Sequence, residues 1–356
     1  MSTRQTVKQS ISRKILIVFL AVFLAGQMLF SVAWAETSFL LKFAVFCDSR
    51  GDSDPNNLYK SGVNEAVVNA IAKAIVKEDA ELVIFPGDLV NGWYQIRTPY
   101  ARQFATWRKA MAPVYDAGIK VYPIRGNHED GPFAVPGRYP WPPDPAATPE
   151  SWPLSELKMA YLAAFNDFWI PSNGPAGEKG LTYSFVYKNA FFVGLDQYIN
   201  PNKVNQPWLD EQLKKNKELH VFVYGHVPAF RVLHTDSLAS YPQERDAFWN
   251  SLGNAGVRMY FCGHDHFYNR SHIKDQTGRP VYQVVIGTGG APLVKWHPQS
   301  YPEGDKIVND YHDEVHYGYA IVTVDGPRVV MEWKALFKEA EQDVWKTMDI
   351  LKYTVK

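Results

Sequence analysis

Past residue 40 the chain alternates short apolar runs with longer stretches in which apolar positions recur every third or fourth residue. Phe43–Cys47, Leu82–Phe85, Val121–Ile124, Phe191–Leu195, Val221–Tyr224 and Met259–Cys262 are strand-length and rich in β-branched or aromatic side chains, and Val281–Ile286 and Tyr319–Val324 read the same way. Between the first two runs Val63, Val67, Ile71 and Ile75 recur at steps of four, and Tyr100, Phe104, Trp107, Met111 and Val114 follow at steps of three and four. Each series predicts a helix with one buried face. Thr98-Pro99 offers the second helix a capping hydroxyl followed by proline, and Gly118 offers it a stop. Strands and helices in alternation predict an α/β sheet protein. Gly131 to Pro149 is proline-rich, with Trp141 between prolines, and predicts a long ordered loop of the kind that carries function. No internal repeat or linker interrupts the pattern, so one domain is expected from residue 37 to 356.

Composition narrows the class. With 356 residues, 46% hydrophobic and 14% aromatic, the chain is neither disordered, collagen-like nor a coiled coil. Its 37 Lys+Arg equal its 37 Asp+Glu, so it has no basic surplus to neutralise phosphates, and no nucleic-acid partner is expected. The balance is uneven along the chain. Residues 1–35 hold Arg4, Lys8, Arg13 and Lys14 and no acid, which leaves 33 basic against 37 acidic residues in the remainder. That segment has a basic start, an apolar run from Ile15 to about Leu29, and Ala33-Trp34-Ala35 as a cleavage site, the three parts of a signal peptide. Cleavage before Glu36 would export the chain to the periplasm or the medium with no stable membrane association. The alternative is an uncleaved anchor, since Ile15–Ala35 is 21 residues long. Gly26 and Gln27 interrupt the apolar run and favour cleavage, and neither a twin-arginine pair nor a lipid-modified cysteine is indicated. Cys47 and Cys262, the only cysteines, read as buried thiols in preference to a disulfide. Nothing in the sequence signals an oligomeric state.

The chemistry lies just after the strands. Asp48-Ser49-Arg50, Gly87-Asp88, Gly126-Asn127-His128-Glu129, Gly225-His226 and Gly263-His264-Asp265-His266 each follow an apolar run. Ligands of α/β sheets bind at the carboxyl ends of strands, so five such motifs converge on one site, and glycine lets the chain turn sharply out of the strand in four of them.

Together and in this order, the motifs resemble those of the calcineurin-like metallophosphoesterase superfamily, whose pattern is Asp-x-His, Gly-Asp, Gly-Asn-His-Asp/Glu, His, Gly-His-x-His. Leu181–Phe185 and Gly263–Arg270 look like the purple acid phosphatase branch, and the resemblance spans nearly the whole exported chain. It implies a four-layer α/β/β/α fold with two mixed sheets face to face and a metal centre at one edge. It also implies hydrolysis of a small phosphoester substrate by a metal-bound hydroxide at a dinuclear centre of divalent or trivalent Fe, Mn or Zn. Such ions suit oxygen and imidazole donors, and two of them about 3.5–4 Å apart can hold the attacking and leaving oxygens of an in-line displacement. By the same resemblance Asp88 bridges the ions, Asp48 and His266 complete the first site, and Asn127, His226 and His264 complete the second. His128 matches the catalytic histidine, which when protonated stabilises developing charge and protonates the leaving oxygen, and Asn127 and His128 hold the phosphoryl group. Glu129 is either an orienting carboxylate or an ordinary surface acid. Phosphomonoesters are the favoured substrates. Phosphodiester or nucleotide pyrophosphate hydrolysis shares the motifs, and a non-catalytic metal- or phosphoester-binding protein is the alternative outside the enzymes.

Two positions depart from the pattern. Arg50 stands where most members have a metal-binding histidine, and a guanidinium has no lone pair to give, so the first site is a ligand short. Asn91 stands where purple acid phosphatases have the tyrosine of Gly-Asp-x-x-Tyr, so no tyrosinate colour is expected. Arg50 either clamps a substrate phosphate or pairs with Asp52 or Asp54. Weaker signals are read as ordinary structure. Gly287–Ala291 lacks the lysine of a phosphate loop and reads as a turn, and His312 and His316 read as an exposed loop. Asn269-Arg270-Ser271 is a glycosylation triplet, and Trp93, Trp141, Tyr198 and Tyr241 read as packing residues before base-stacking ones.

Overall fold

Phe191, Phe192 and Val193 are consecutive and all buried, and a strand sends successive side chains to opposite faces, so this run needs a core on each side. It has both. Phe192 packs with Phe43, Phe222 and Phe261 in one core, its ring 5.1 Å from that of Phe43, while Phe191 and Val193 pack with Leu209, Phe248, Trp249 and Leu252 in another. The first core fills the space between the two sheets and continues under the helices on the outer face of one of them, and the second lies between the other sheet and its helices.

The computed structural model describes residues 40–51, 61–92, 98–130, 154–199, 204–274, 280–296 and 307–355. In chain order the first half runs β1 (Leu41–Val45), α1 (Glu65–Lys77), β2 (Leu82–Phe85), α2 (Tyr100–Ala110), α3 (Ala112–Asp116), β3 (Lys120–Pro123), α4 (Asn127–Asp130), α5 (Leu154–Ala164), β4 (Tyr183–Tyr187) and β5 (Ala190–Gly194). The second half runs α6 (Gln206–Lys215), β6 (His220–Tyr224), α7 (Pro242–Asn254), β7 (Met259–Cys262), β8 (Tyr268–Lys274), β9 (Pro280–Ile286), β10 (Ile307–Asp313), β11 (Gly318–Asp325), β12 (Arg328–Glu339) and β13 (Gln342–Thr354). One sheet has the order β13-β12-β11-β1-β2-β3 and the other β10-β8-β9-β7-β6-β5-β4. Both are mixed: β1, β2 and β3 are parallel beside antiparallel β11–β13, and β5, β6, β7 and β9 are parallel beside antiparallel β4, β8 and β10. Helices α1 and α3 pack on β11 and β3 of the first sheet, and α6 and α7 cover the second. This is the expected four-layer α/β/β/α architecture, and residues 40–356 form one compact unit.

The helices start and stop for local reasons. Asn64 caps α1 by accepting a hydrogen bond from Val67 N, and Gly118, at φ 74°, ends the α2–α3 stretch. That stretch is two helices, not one, breaking at Met111 just before Pro113. Pro99 occupies the capping position of α2, where Thr98 was expected to act, and no side chain caps that helix. His312 lies in β10 opposite Asn269, so the exposed-loop reading of that histidine is corrected. Asn269 and Ser271 are buried in β8, with Asn269 Nδ2 donating to Asn309 Oδ1 at 2.8 Å, which removes the glycosylation triplet from consideration. Cys47 and Cys262 are buried and free. Among the described residues no helix is long and apolar enough to cross a membrane. The leader, the Gly131–Pro149 loop, Asp52, Asp54, Trp93 and Trp141 lie outside the described residues.

Candidate metal centre

The parallel strands of both sheets end at a common edge, and the turns there are unusually tight. Asp48, Asp88 and His264 adopt left-handed backbone conformations, at φ 56°, 55° and 70°. Asp48 N donates to Gly87 O at 3.2 Å and Ser49 N to Asp88 O at 2.8 Å, which ties the β1 and β2 exits together. Gly126 is required where it is, since a Cβ there would meet Asp88 Oδ1 at 2.1 Å.

The second donor set converges on one atom. Asn127 Oδ1 lies 3.0 Å from His226 Nε2 and 2.9 Å from His264 Nδ1, and Asp88 Oδ1 lies 3.4 Å from His226 Nε2. Each histidine is held from behind: His226 Nδ1 is 2.7 Å from Pro86 O, and His264 Nε2 is 3.0 Å from Asp236 Oδ1. Gln197 Oε1 accepts from His226 N at 2.6 Å and Val227 N at 2.8 Å, fixing the turn that carries this imidazole. Anchoring one ring nitrogen leaves the other for a metal. The first donor set is sparser. His266 Nε2 is 3.5 Å from Asp48 Oδ1, its Nδ1 is 3.1 Å from Pro292 O, and Asp48 also accepts from His264 N. Ligand atoms of Asp48, Asp88 and His226 all fall within 4.8 Å of one another, so the donors of this edge fit transition-metal ions in position and in chemistry.

The charges are crowded and buried. Burial opposes ionisation of Asp88, yet His226 and His128 hold it well below its ordinary value, and Asp88 and Asp48 in turn lift His226 to about 10 against burial. Burial, only partly offset by His226, pushes Asp48 up. A cation in place of these mutual pairings would meet the same carboxylates.

His128 and Glu129 have different jobs. His128 Nδ1 is 2.7 Å from Asn91 O, its backbone N donates to Asp88 Oδ1 at 3.0 Å, and its Nε2 faces the site 3.7 Å from Asp88 Oδ2. Burial, opposed by Asp88 and reinforced by the charge of Arg50, pushes its pKa down to about 4, so the imidazole rests neutral. Glu129 is no surface acid. It is fully buried, and its carboxylate accepts from Gly126 N at 2.7 Å, Asp88 N at 2.9 Å and Val90 N at 3.1 Å.

Four further residues belong to the site. Asp265, the residue between His264 and His266, accepts from Leu233 N, His234 N and His234 Nδ1, the last at 2.5 Å. It draws the loop after His226 over the centre, placing the half-exposed His234 ring 4.6 Å from that of His264 and bringing Asp236 to its Nε2. Arg125, just before Gly126, forks onto Asp196 at 2.6 and 3.0 Å and reaches Asp130 at 3.0 Å, tying the β3 exit to the β5 exit. Position alone signalled Asp265, inside a motif, and Arg125, directly before one; His234 and Asp236 stand eight and ten residues past His226 on an irregular loop and had no signal. Arg50 Nε is buried with no hydrogen-bond partner among the described residues. Tyr198 is buried 6.1 Å from the His226 ring and is not placed to stack a base in solvent. Gly287–Ala291 is the turn beside Asp48, with Ala291 N donating to Asp48 O at 2.7 Å, and His316 pairs with Asp313 at 2.8 Å.

Known proteins resemble the chain in part of their sequence and in fold. Human tartrate-resistant acid phosphatase type 5 is 29% identical over 138 residues, 37% of this chain and 40% of that protein, and the mouse protein of the same name is 35% identical over 102 residues, 27% and 28% respectively. The chain thus matches less than half the length of these relatives. Among solved structures, purple acid phosphatase PPD1 from yellow lupin seeds superposes with TM-score 0.63 at 17% identity, over 89% of this chain and 54% of that one. PhoD gives 0.60 at 15% over 89% and 70%, and a dimetal phosphatase from Danio rerio gives 0.53 at 15% over 89% and 99%. At these identities the likeness is one of fold. The family model for calcineurin-like phosphoesterases matches residues 54–268, more than half the chain and most of the motifs above, and the chain belongs to that family.

Proposed function

We propose that the protein is an exported, metal-dependent phosphoric ester hydrolase of the purple acid phosphatase-like kind, acting first on phosphomonoesters. The observation that carries this reading is the convergence of His226, His264 and Asp88 around Asn127 Oδ1, with each histidine anchored at its other nitrogen. Asp88, Asn127, His226 and His264 would hold one ion and Asp48, Asp88 and His266 a second. When bound, such ions lower the pKa of water and offset negative charge on the phosphoryl oxygens.

The chain's own groups do the rest. His128, locked at Nδ1 by Asn91 O, presents Nε2 to the phosphoryl group, and Asn127 helps to orient it. An arriving dianion favours the protonated imidazole, so substrate binding itself charges His128 and readies it to protonate the leaving alkoxide. Arg50, with its buried Nε unpartnered, supplies a fork for a phosphate oxygen. The loop pinned by Asp265 walls the outer side with His234 and Asp236.

Parallel assays of para-nitrophenyl phosphate and its bis ester, with metal content measured on protein starting at Glu36, test the reading. Turnover of the monoester by metal-loaded protein is expected, and faster bis-ester turnover would reassign it to phosphodiesters. The short first donor set favours one second reading, a non-catalytic metal-binding protein, and ion binding without turnover of any phosphoester would decide for that. In Arg50→Ala the inhibition constant for phosphate should rise, and an unchanged constant sinks the clamp.

A further inference from the structure

The two halves of the centre are built unequally. Around the second set every donor is a side chain pre-aimed at a common point. Around Asp48 the walls are backbone: a Cβ at Gly263 would come to 2.1 Å from Asp48 Oδ2 and one at Gly287 to 3.1 Å, so no further side-chain donor approaches from those two sides. Two residues beyond Asp48 comes a cation. Arg50 is fixed by an isolated bridge to Val63, its Nε is buried, and no acceptor meets it. A guanidinium carried two residues beyond Asp48 on a paired backbone repels an incoming ion and gives it no lone pair.

Resting on the metal-dependent reading above, we propose that Arg50 makes the centre asymmetric: the site of Asp88, Asn127, His226 and His264 retains its ion, while the site of Asp48, Asp88 and His266 holds a readily exchanged one. The resting protein then carries one firmly bound ion, and the guanidinium supplies part of the positive charge that a permanent second ion would bring.

The test counts metal and does not depend on activity. The full chain is saturated with Mn(II), passed through a metal-free desalting column and analysed for manganese, and the two dissociation constants are measured by calorimetry. The wild-type chain should keep about one ion, with its two constants differing by about a hundredfold or more, about 2.8 kcal/mol at 1.4 kcal/mol per tenfold. Arg50→His, which replaces the cation by a donor, should keep about two ions and close the gap to about tenfold. If that variant does not fold, Arg50→Gln, neutral and similar in length, should tighten the weaker site by about tenfold or more. Two ions retained by the wild-type chain, or a gap unmoved by Arg50→His or Arg50→Gln in folded protein, overturns the assignment to Arg50 and leaves the metal-dependent reading intact. No manganese, zinc or iron bound by the wild-type chain overturns that reading itself.

Discussion

Glu129 is the group on which the geometry of the centre depends most directly, although it is not expected to touch substrate. Its carboxylate accepts three backbone hydrogen bonds, from Gly126 N and Asp88 N at Oε2 and from Val90 N at Oε1. These donors belong to two different strand exits, and the side chain is fully buried. Glu129→Ala leaves all three N–H groups without that acceptor. At about 1–3 kcal/mol for each buried donor left unpaired, the loss is about 3–9 kcal/mol, which water entering the cavity would bring toward the lower figure. Glu129→Gln keeps the shape. Its amide oxygen can serve the Gly126 and Asp88 donors, but its NH2 then faces Val90 N–H, so one donor is lost at about 1–3 kcal/mol. Denaturant unfolding of metal-free protein, followed by tryptophan fluorescence, measures both variants against a total stability expected near 5–15 kcal/mol. The order Ala worse than Gln worse than wild type is required. An alanine variant within about 1 kcal/mol of wild type, or equal to the glutamine variant, would refute the accounting.

Three other outcomes are expected. Asp88→Asn or His128→Ala should lower turnover about a hundredfold or more, and a loss under about threefold in both would remove their assigned roles. Because burial and Arg50 push His128 down to about 4, its protonated form is lost as pH rises past that value, so kcat/KM should have a basic limb on the acid side of free histidine. His128→Ala should abolish that limb and Arg50→Ala, by removing a depressing charge, should move it to higher pH; a limb unmoved in both variants contradicts the assignment. Asp349 is bonded to Arg270 at 2.7 and 2.9 Å and to the Tyr268 hydroxyl at 2.7 Å, with little exposure, so Asp349→Ala should cost about 3–5 kcal/mol in the same unfolding assay without altering metal content.

The strand exits were legible in the sequence because donor-rich motifs interrupt apolar runs abruptly, and the eight apolar runs all fall on strands of the two sheets, Phe43–Cys47 running two residues past its strand end and Val121–Ile124 and Phe191–Leu195 one each. Strand β12 was equally open to reading, since Val329, Met331, Trp333 and Ala335 alternate with less buried neighbours at the period of a strand. Strand β13 was not, because it is an exposed edge and a bulge facing Trp333 and Lys334 breaks its alternation. His234 and Asp236 escaped for a different reason. They lie on an irregular loop with no periodicity, and it is a contact with Asp265, about thirty residues away, that brings them to the centre. Glu129 and a surface acid look alike in a sequence; the three N–H groups that enclose it come from a fold, not from neighbours in the chain.

Asp48, Asp88, Asn127 and His128 follow strands of one sheet, and His226, His264 and His266 follow strands of the other. Neither sheet carries a usable half, so the centre comes into being only when the two faces dock. During refolding, secondary structure can recover while the seam is still open, and ion binding would then report sheet docking and nothing earlier. Any ion gripped from both sides also rivets segments more than a hundred residues apart in sequence, such as Asp88 and His226. Its binding free energy adds to that of docking, about 2.7 kcal/mol when free metal exceeds its dissociation constant a hundredfold. Chelation would therefore loosen the seam between the sheets before it disturbs either sheet.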